Sequence, residues 1–368
     1  MSSEALREPS EHESDSTAEP EAESGGERGL PVDWELAART AAKLMPAGPT
    51  VSRGEARDTV ARLRADSATA EGHVRELTNL GAGLPLLPAD VVDRPSWAAA
   101  ATAGMAALTS GARLPPVPNA ARRFTAATAG LQAGAVLSYL GSRVLGQYDP
   151  FGGADQQGRL LLVAPNVVAA QRALDVPLGD FTMWVCLHEA THRLQFTAVP
   201  WLRDYFSAQV TEFLSAAEQT AVGILERLPS AIASARGNKD GLGLIELLQG
   251  PEQREVLDRL LALTTLLEGH ADHVMDAVGP AVVPTVSTIR TRFTARRHGG
   301  GLLDRLLRAL LGVEAKVRQY AVGSAFTDAV VNEVGMAGFN QVWTSPDTLP
   351  TRAELADPKA WVARVPRG

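Results

Sequence analysis

Phe181-Thr182-Met183-Trp184-Val185-Cys186-Leu187-His188-Glu189-Ala190-Thr191-His192-Arg193-Leu194-Gln195-Phe196 reads as one helix with His188, Glu189 and His192 in HExxH spacing. On a helix, side chains four apart stand one turn above one another, so both imidazoles face one cation and Glu189 hangs beside it. That combination points to zinc, with a carboxylate placed to take a proton from an activated water. The apolar flanks, Trp184, Val185 and Leu187 before the motif and Leu194 and Phe196 after it, suit a buried helix rather than a solvated one.

Catalytic zinc takes three protein ligands and keeps a fourth position open. A metzincin would place Gly three residues after His192 and a further His three beyond that, but the chain has Gln195 and Ala198 there. The other common third ligand is a Glu from a later helix, and Leu266-Leu267-Glu268-Gly269-His270-Ala271-Asp272-His273-Val274-Met275-Asp276 offers Glu268. At about 100° per residue, Glu268 and Asp272 fall within ~40° of one another while His270 and His273 point elsewhere. Glu268 is therefore the expected third ligand, with Asp272, His273 and His270 as substitutes. Asp272 is expected to accept the spare N–H of a ligand imidazole, which fixes its tautomer. His270 and His273 are read as surface polar groups or core hydrogen-bonding ones. The Glu-x-x-x-Asp arrangement resembles that of gluzincins.

Further segments extend the resemblance. Gln147-Tyr148-Asp149-Pro150-Phe151, Leu160-Leu161-Leu162-Val163-Ala164-Pro165-Asn166, the HEATHRLQF run from His188, Glu268-Gly269-His270-Ala271-Asp272 and Lys316-Val317-Arg318-Gln319-Tyr320 are similar to the zincin-like hydrolase and zinc-dependent metalloprotease family of high-GC Gram-positive bacteria. The similarity spans Val32 to Val365. It implies one Zn2+ held by His188, His192 and Glu268, with Glu189 as general base. One subgroup of that family is associated with biosynthesis of a deazaflavin coenzyme, which implies an alternative: a zinc amidohydrolase of a small metabolite, or an interaction protein that retains the site. The chain has no G-x-G-x-x-G between a strand and a helix to bind a dinucleotide.

With 368 residues and 45% hydrophobic content, the chain can bury a sizeable core, and the sparse aromatics (5%) leave Ala, Leu and Val to build it. Long Ala- and Leu-rich periodic stretches predict a mainly α fold of closely packed helices, and the resemblance implies a zincin-like helical domain with a short strand or small sheet beside the HExxH helix. Helices are expected over Val32 to Leu44, Arg53 to Leu80, Pro95 to Thr109, Ala120 to Leu145, Arg203 to Leu228, Gly241 to Leu248, Pro251 to Val278, Leu302 to Leu311 and Lys316 to Val334. Arg159 to Ala164, with four consecutive aliphatic residues ended by Pro165, predicts a short strand, either an edge strand beside the HExxH helix that would pair with an extended peptide or a buried strand or helix-to-helix connector.

Residues 1–30 carry nine acidic and two basic side chains, which accounts for the whole formal charge of −7. Rich in Glu, Ser, Gly and Pro, this stretch is expected to be a disordered acidic tail, leaving 31–368 as a single zincin-like metallohydrolase domain. A neutral body lacks the Lys and Arg excess of a nucleic-acid surface. The cluster Arg290, Arg292, Arg296, Arg297 and His298 reads as a solvated loop before Gly299-Gly300-Gly301. The chain shows no secretory leader and no apolar run of the ~20 residues a bilayer-spanning helix needs, so no membrane contact and a cytoplasmic location are expected. A single cysteine, Cys186, suits a reducing compartment. It projects about 200° from His188 and is read as a small buried residue. The partner expected is a peptide or small amide substrate. Tyr320 is a candidate oxyanion donor, and Arg143 and Arg318 are read as surface groups.

Overall fold

The computed structural model describes residues 27–114, 118–153, 158–215, 251–298 and 313–365. Residues 1–26 of the expected tail, the helices over Gly241 to Leu248 and Leu302 to Leu311, and the later part of that over Arg203 to Leu228 lie outside these residues, while the last four tail residues are described and include the short strand Glu27–Arg28. Mainly helical as expected, the fold carries one small mixed sheet.

Helices α1 (Trp34–Leu44) and α2 (Arg53–Thr78) start where Asp33 and Ser52 accept backbone N–H groups of their first turns. Asn79 ends α2 in the left-handed conformation (φ 56°). Helix α3 (Arg94–Thr109) follows the cap Asp93, with Pro95 in its first turn, and α4 (Asn119–Gly141) follows Pro118. Helices α1 and α4 meet through small residues: a Cβ on Gly134 would lie 2.6 Å from the Thr40 side chain.

The sheet is built from β2 (Asp90–Val92), β4 (Gly146–Asp149) and β5 (Arg159–Val163) in the order β2-β5-β4, parallel on one side of β5 and antiparallel on the other. A separate two-residue pair joins β1 (Glu27–Arg28) to β3 (Arg113–Leu114). Strand β5 is the expected one, and of the two readings open for it, edge or buried, the structure shows the buried, central strand. Leu160 to Val163 are all buried, with Leu162 entering the larger core and Leu161 and Val163 the smaller. A strand covered on both faces has an unbroken apolar sequence. The edge beside the HExxH helix belongs to β4, which begins directly after the stretch Ala120 to Leu145 expected as a helix. Asn166 holds the lead-in to β4, donating through Nδ2 to Gly141 O (2.8 Å) and Val144 O (2.6 Å) and accepting Arg94 Nε on Oδ1 (2.6 Å).

After α5 (Ala164–Leu174), the HExxH helix α6 (Leu178–Ala198) runs through the larger core against α2, β4 and a long later helix, α8 (Pro251–Ala277). Helix α7 covers 202–215. Helix α9 (Val286–His298) occupies the stretch read as a solvated loop, and the reason is specific pairing. Arg290 binds Asp272 Oδ1 (3.0 Å), Asp272 O (3.0 Å) and Asp276 Oδ1 (3.0 Å) on α8, and Arg292 donates to Leu174 O and Asp175 O at the end of α5. The side chains of Arg296, Arg297 and His298 lie outside the described residues. Helix α10 (Val313–Phe339), kinked at Gly335, packs along α8, and α11 (Arg352–Ala356) and α12 (Pro358–Arg364) close the chain. Among the described residues no helix is long and apolar enough to cross a membrane.

Candidate metal centre

Helix α6 is buried on almost every side. Between Phe181 and Phe196 only Met183, His188, His192 and Phe196 are partly exposed. The last three recur every fourth residue, so a single stripe of the helix opens onto a cleft of about 510 Å³. From across that cleft α8 brings Glu268. Its Oε2 lies 3.5 Å from His188 Nε2 and 3.8 Å from His192 Nε2, and the two Nε2 atoms are 3.1 Å apart. One ligand atom from each of the three residues falls within 4.8 Å of the others.

This donor set fits a tetrahedral zinc ion. Ligand atoms at about 2.0–2.1 Å from such an ion lie ~3.4 Å from one another, close to the three separations found. Two imidazole nitrogens and a carboxylate oxygen are also the chemistry zinc takes in hydrolytic sites.

Glu189 follows His188 and turns toward β4. It is 6% exposed and sits against Gly146, where a Cβ would lie 2.6 Å from Glu189 Cγ and 2.8 Å from its Oε1. Burial, and then the Glu268 carboxylate, push its pKa well above the ordinary value. Gly146 thus makes the space in which the carboxylate stands.

The imidazoles are held from behind. His192 Nδ1 lies 2.9 Å from Gln195 Oε1, and His188 Nδ1 lies 3.2 Å from Met275 Sδ. Asp272, expected to hold a ligand imidazole, is instead bound by Arg290. Asp272 lines the cleft, and its carboxylate docks α9, whose Phe293 packs edge-on against Trp184 (centroids 5.0 Å). The substitutes are also otherwise engaged. His273 Nδ1 is 2.6 Å from Asp328 Oδ1, while His270 is fully buried, with Nδ1 3.1 Å from Gln195 Nε2. Burial holds His270 neutral, its pKa lowered to about 3. Cys186 is buried, as expected, with Sγ toward Leu63 O. The side chains of Tyr320 and Arg318 lie outside the described residues. Arg143 lines the cleft mouth with its guanidinium 3.9 Å from the Tyr139 ring centre.

Gly146 and Gln195 are the site residues that sequence reasoning missed, whereas His270 is the core hydrogen-bonding group it was read as. Gln195 carries a signal: it is an uncharged polar residue three positions after His192, on the same side of the helix.

Strand β4 forms one wall of the cleft through Gly146, Gln147 and Tyr148. Among the described residues it pairs only with β5. Past Tyr148 and Phe196, whose rings are 5.9 Å apart, a second hollow of about 410 Å³ continues toward Arg203 and shares Tyr148, Pro150 and Phe196 with the first.

Residues 32–362 match the family described as zincin-like metallopeptidase. A crystal structure described as that of "a putative hydrolase with a novel fold", from Chloroflexus aurantiacus, is similar with a TM-score of 0.63 and 29% identity, over 92% of this chain and 99% of that one. No curated protein matches the chain.

Proposed function

This chain belongs to the zincin-like metallopeptidase family, and from that premise we propose that it is a zinc-dependent peptidase in which His188, His192 and Glu268 hold one ion and Glu189 is the general base. Zinc in such a site supplies Lewis acidity, polarising a carbonyl and making water nucleophilic near neutral pH. The residues do the rest. Glu189, confined between α6 and Gly146, accepts a proton from the attacking water and returns it to the leaving nitrogen. His188 and His192 stand on one buried helix and Glu268 on another, so the three donors are set before substrate arrives.

The observation that favours a peptide is the edge strand. An extended chain laid beside β4 gains main-chain hydrogen bonds with little side-chain selectivity. The two hollows share walls along that strand, which gives a polypeptide room on both sides of the reacting bond.

The test is a peptide pool incubated with zinc-loaded protein and with a Glu189→Gln form, and read by mass spectrometry. Cleavage by the first and none by the second, both holding one zinc, is expected. Stoichiometric zinc with no peptide cut would turn the assignment toward a small amide metabolite. Full activity in the Glu189→Gln protein would remove Glu189 as base.

A further inference from the structure

We propose that Gln195 and His270 form a fixed hydrogen-bond relay that locks His192 in its Nδ1–H tautomer and thereby sets the strength of the metal site. The inference rests on the zinc reading of the site, and it makes Gln195 and His270 positioning residues.

The relay is determined atom by atom. Gln195 Nε2 lies 2.9 Å from Leu267 O. A backbone carbonyl only accepts, so the side-chain nitrogen must be the atom that faces it. The amide orientation is then settled, and the atom 2.9 Å from His192 Nδ1 is the oxygen Oε1. An amide oxygen cannot donate, so His192 Nδ1 carries the hydrogen. In a neutral imidazole this leaves Nε2 with its lone pair, and Nε2 is the atom directed at His188 Nε2 and Glu268 Oε2.

The second amide hydrogen of Gln195 points to His270 Nδ1 at 3.1 Å, which must accept it. His270 therefore carries its own hydrogen on Nε2. That atom is buried with no hydrogen-bond partner among the described residues, and the ring packs against Phe339 (centroids 5.1 Å) and Trp343 (5.6 Å). Aromatic neighbours tolerate an N–H, through a weak N–H···π contact, better than they would a bare lone pair with no donor near it. Gln195 and His270 are both completely buried, so bulk water does not reach either. Reversing the amide would set its oxygen against Leu267 O, whichever tautomer His192 took. Every hydrogen in the chain therefore runs one way, from His192 through Gln195 and His270 to the aromatic pair.

Partners of this kind behind a metal-binding histidine typically alter metal affinity about 10–100-fold when removed. Two readouts test the relay, neither of which needs a substrate. The first is the tautomer of His192 in metal-free protein, read from the 15N shifts of labelled imidazoles at a pH above the ordinary imidazole range and assigned by comparison with a His192→Gln form. The second is zinc affinity by competition titration. Wild-type protein is expected to show the Nδ1–H form, Gln195→Leu a mixture with zinc binding about 10–100-fold weaker. His270→Asn, which sets an amide oxygen where Nδ1 stood, should stay near wild type, and His270→Leu should be weaker. An Nε2–H form in the wild-type protein overturns the relay, whether or not the variants fold. So does a Gln195→Leu protein that keeps both the tautomer and the affinity. Wild-type protein that shows the Nδ1–H form but binds no zinc would overturn the zinc reading instead, and with it the effect on affinity, while upholding the tautomer lock.

Discussion

Gly146→Ala isolates the placement of the Glu189 carboxylate from its chemistry. The new methyl would stand 2.6 Å from Glu189 Cγ, 2.7 Å from Cδ and 2.8 Å from Oε1. Carbon atoms in good contact lie about 3.5–4.0 Å apart, so relief requires a shift of ~1 Å. The strand cannot supply it. Gly146 pairs with Leu162 of the fully buried β5, Val163 N donates to Leu145 O (2.9 Å), and Asn166 grips Val144 O. Glu189 must move instead.

A misplacement of about 1 Å costs on the order of 10²-fold in rate where geometry matters to the reaction. The variant should therefore cut the peptide pool about 10²-fold more slowly than wild type, with zinc stoichiometry and affinity unchanged because no proposed ligand is touched. Overpacking should lower stability by ~1–3 kcal/mol, readable by urea unfolding of metal-free protein. Glu189→Gln should lose about 10²–10⁴-fold, and the double variant should be no slower than Glu189→Gln alone, since both changes act through one carboxylate. A wild-type rate in Gly146→Ala, or losses that simply multiply in the double variant, would refute the placement.

Chelation should abolish hydrolysis, and zinc returned at about 100 times its Kd should restore activity and raise unfolding free energy by ~2.7 kcal/mol, checked by activity and thermal shift. Glu71 is 1% exposed and joins two arginines, Arg75 on its own helix and Arg193 beside His192. Glu71→Ala should cost about 3–5 kcal/mol in urea unfolding, because it leaves Arg193 charged and buried without its counter-ion. Burial raises the pKa of Asp66, which accepts Thr182 Oγ1 at 2.5 Å. A carboxyl whose folded pKa exceeds its unfolded one penalises the folded state above the folded pKa, and the penalty fades as pH falls through that value toward the unfolded one. Asp66→Asn should therefore be more stable than wild type at neutral pH, with the difference shrinking on acidification, as measured by unfolding across pH.

The sequence showed helix α6 plainly because motif, apolar flanks and helical spacing agree. It offered Glu268 as the ligand type zinc takes from a later helix, and the structure brings that carboxylate to the two imidazoles. Asp272, expected behind a ligand imidazole, is bound by Arg290, which lies on a segment whose charges read as solvated. Charge composition does not reveal that two carboxylates wait one turn apart on a neighbouring helix. Strand β4 was illegible for a different reason: Gly-Gln-Tyr-Asp is four residues with no apolar alternation, and its place depends on Asn166 and on β5. The unbroken Leu160-Leu161-Leu162-Val163 run did hold the clue that β5 is central, since an edge strand with one wet face would alternate.

The run Glu268-Gly269-His270-Ala271-Asp272 shows why a short sequence can place a distant carboxylate. Ala271 is fully buried, His270 completes the relay behind His192 and Asp272 docks α9. Gly269 sets the depth of the helix. A Cβ there would collide with the backbone of Gly323 on α10, and one on Gly323 would collide with Thr265 O, so α8 and α10 cross in backbone contact. Neither backbone can turn aside as a side chain would, so Gly269→Ala or Gly323→Ala must separate the helices. The separation is transmitted to Glu268, one residue from the crossing. Each variant should lose ~1–3 kcal/mol of stability and also bind zinc more weakly, whereas an equally destabilising change far from α8 should leave zinc affinity alone. Metal titration of the folded variants decides the matter: destabilised protein with undiminished zinc affinity would mean that the position of Glu268 is set elsewhere than at this crossing.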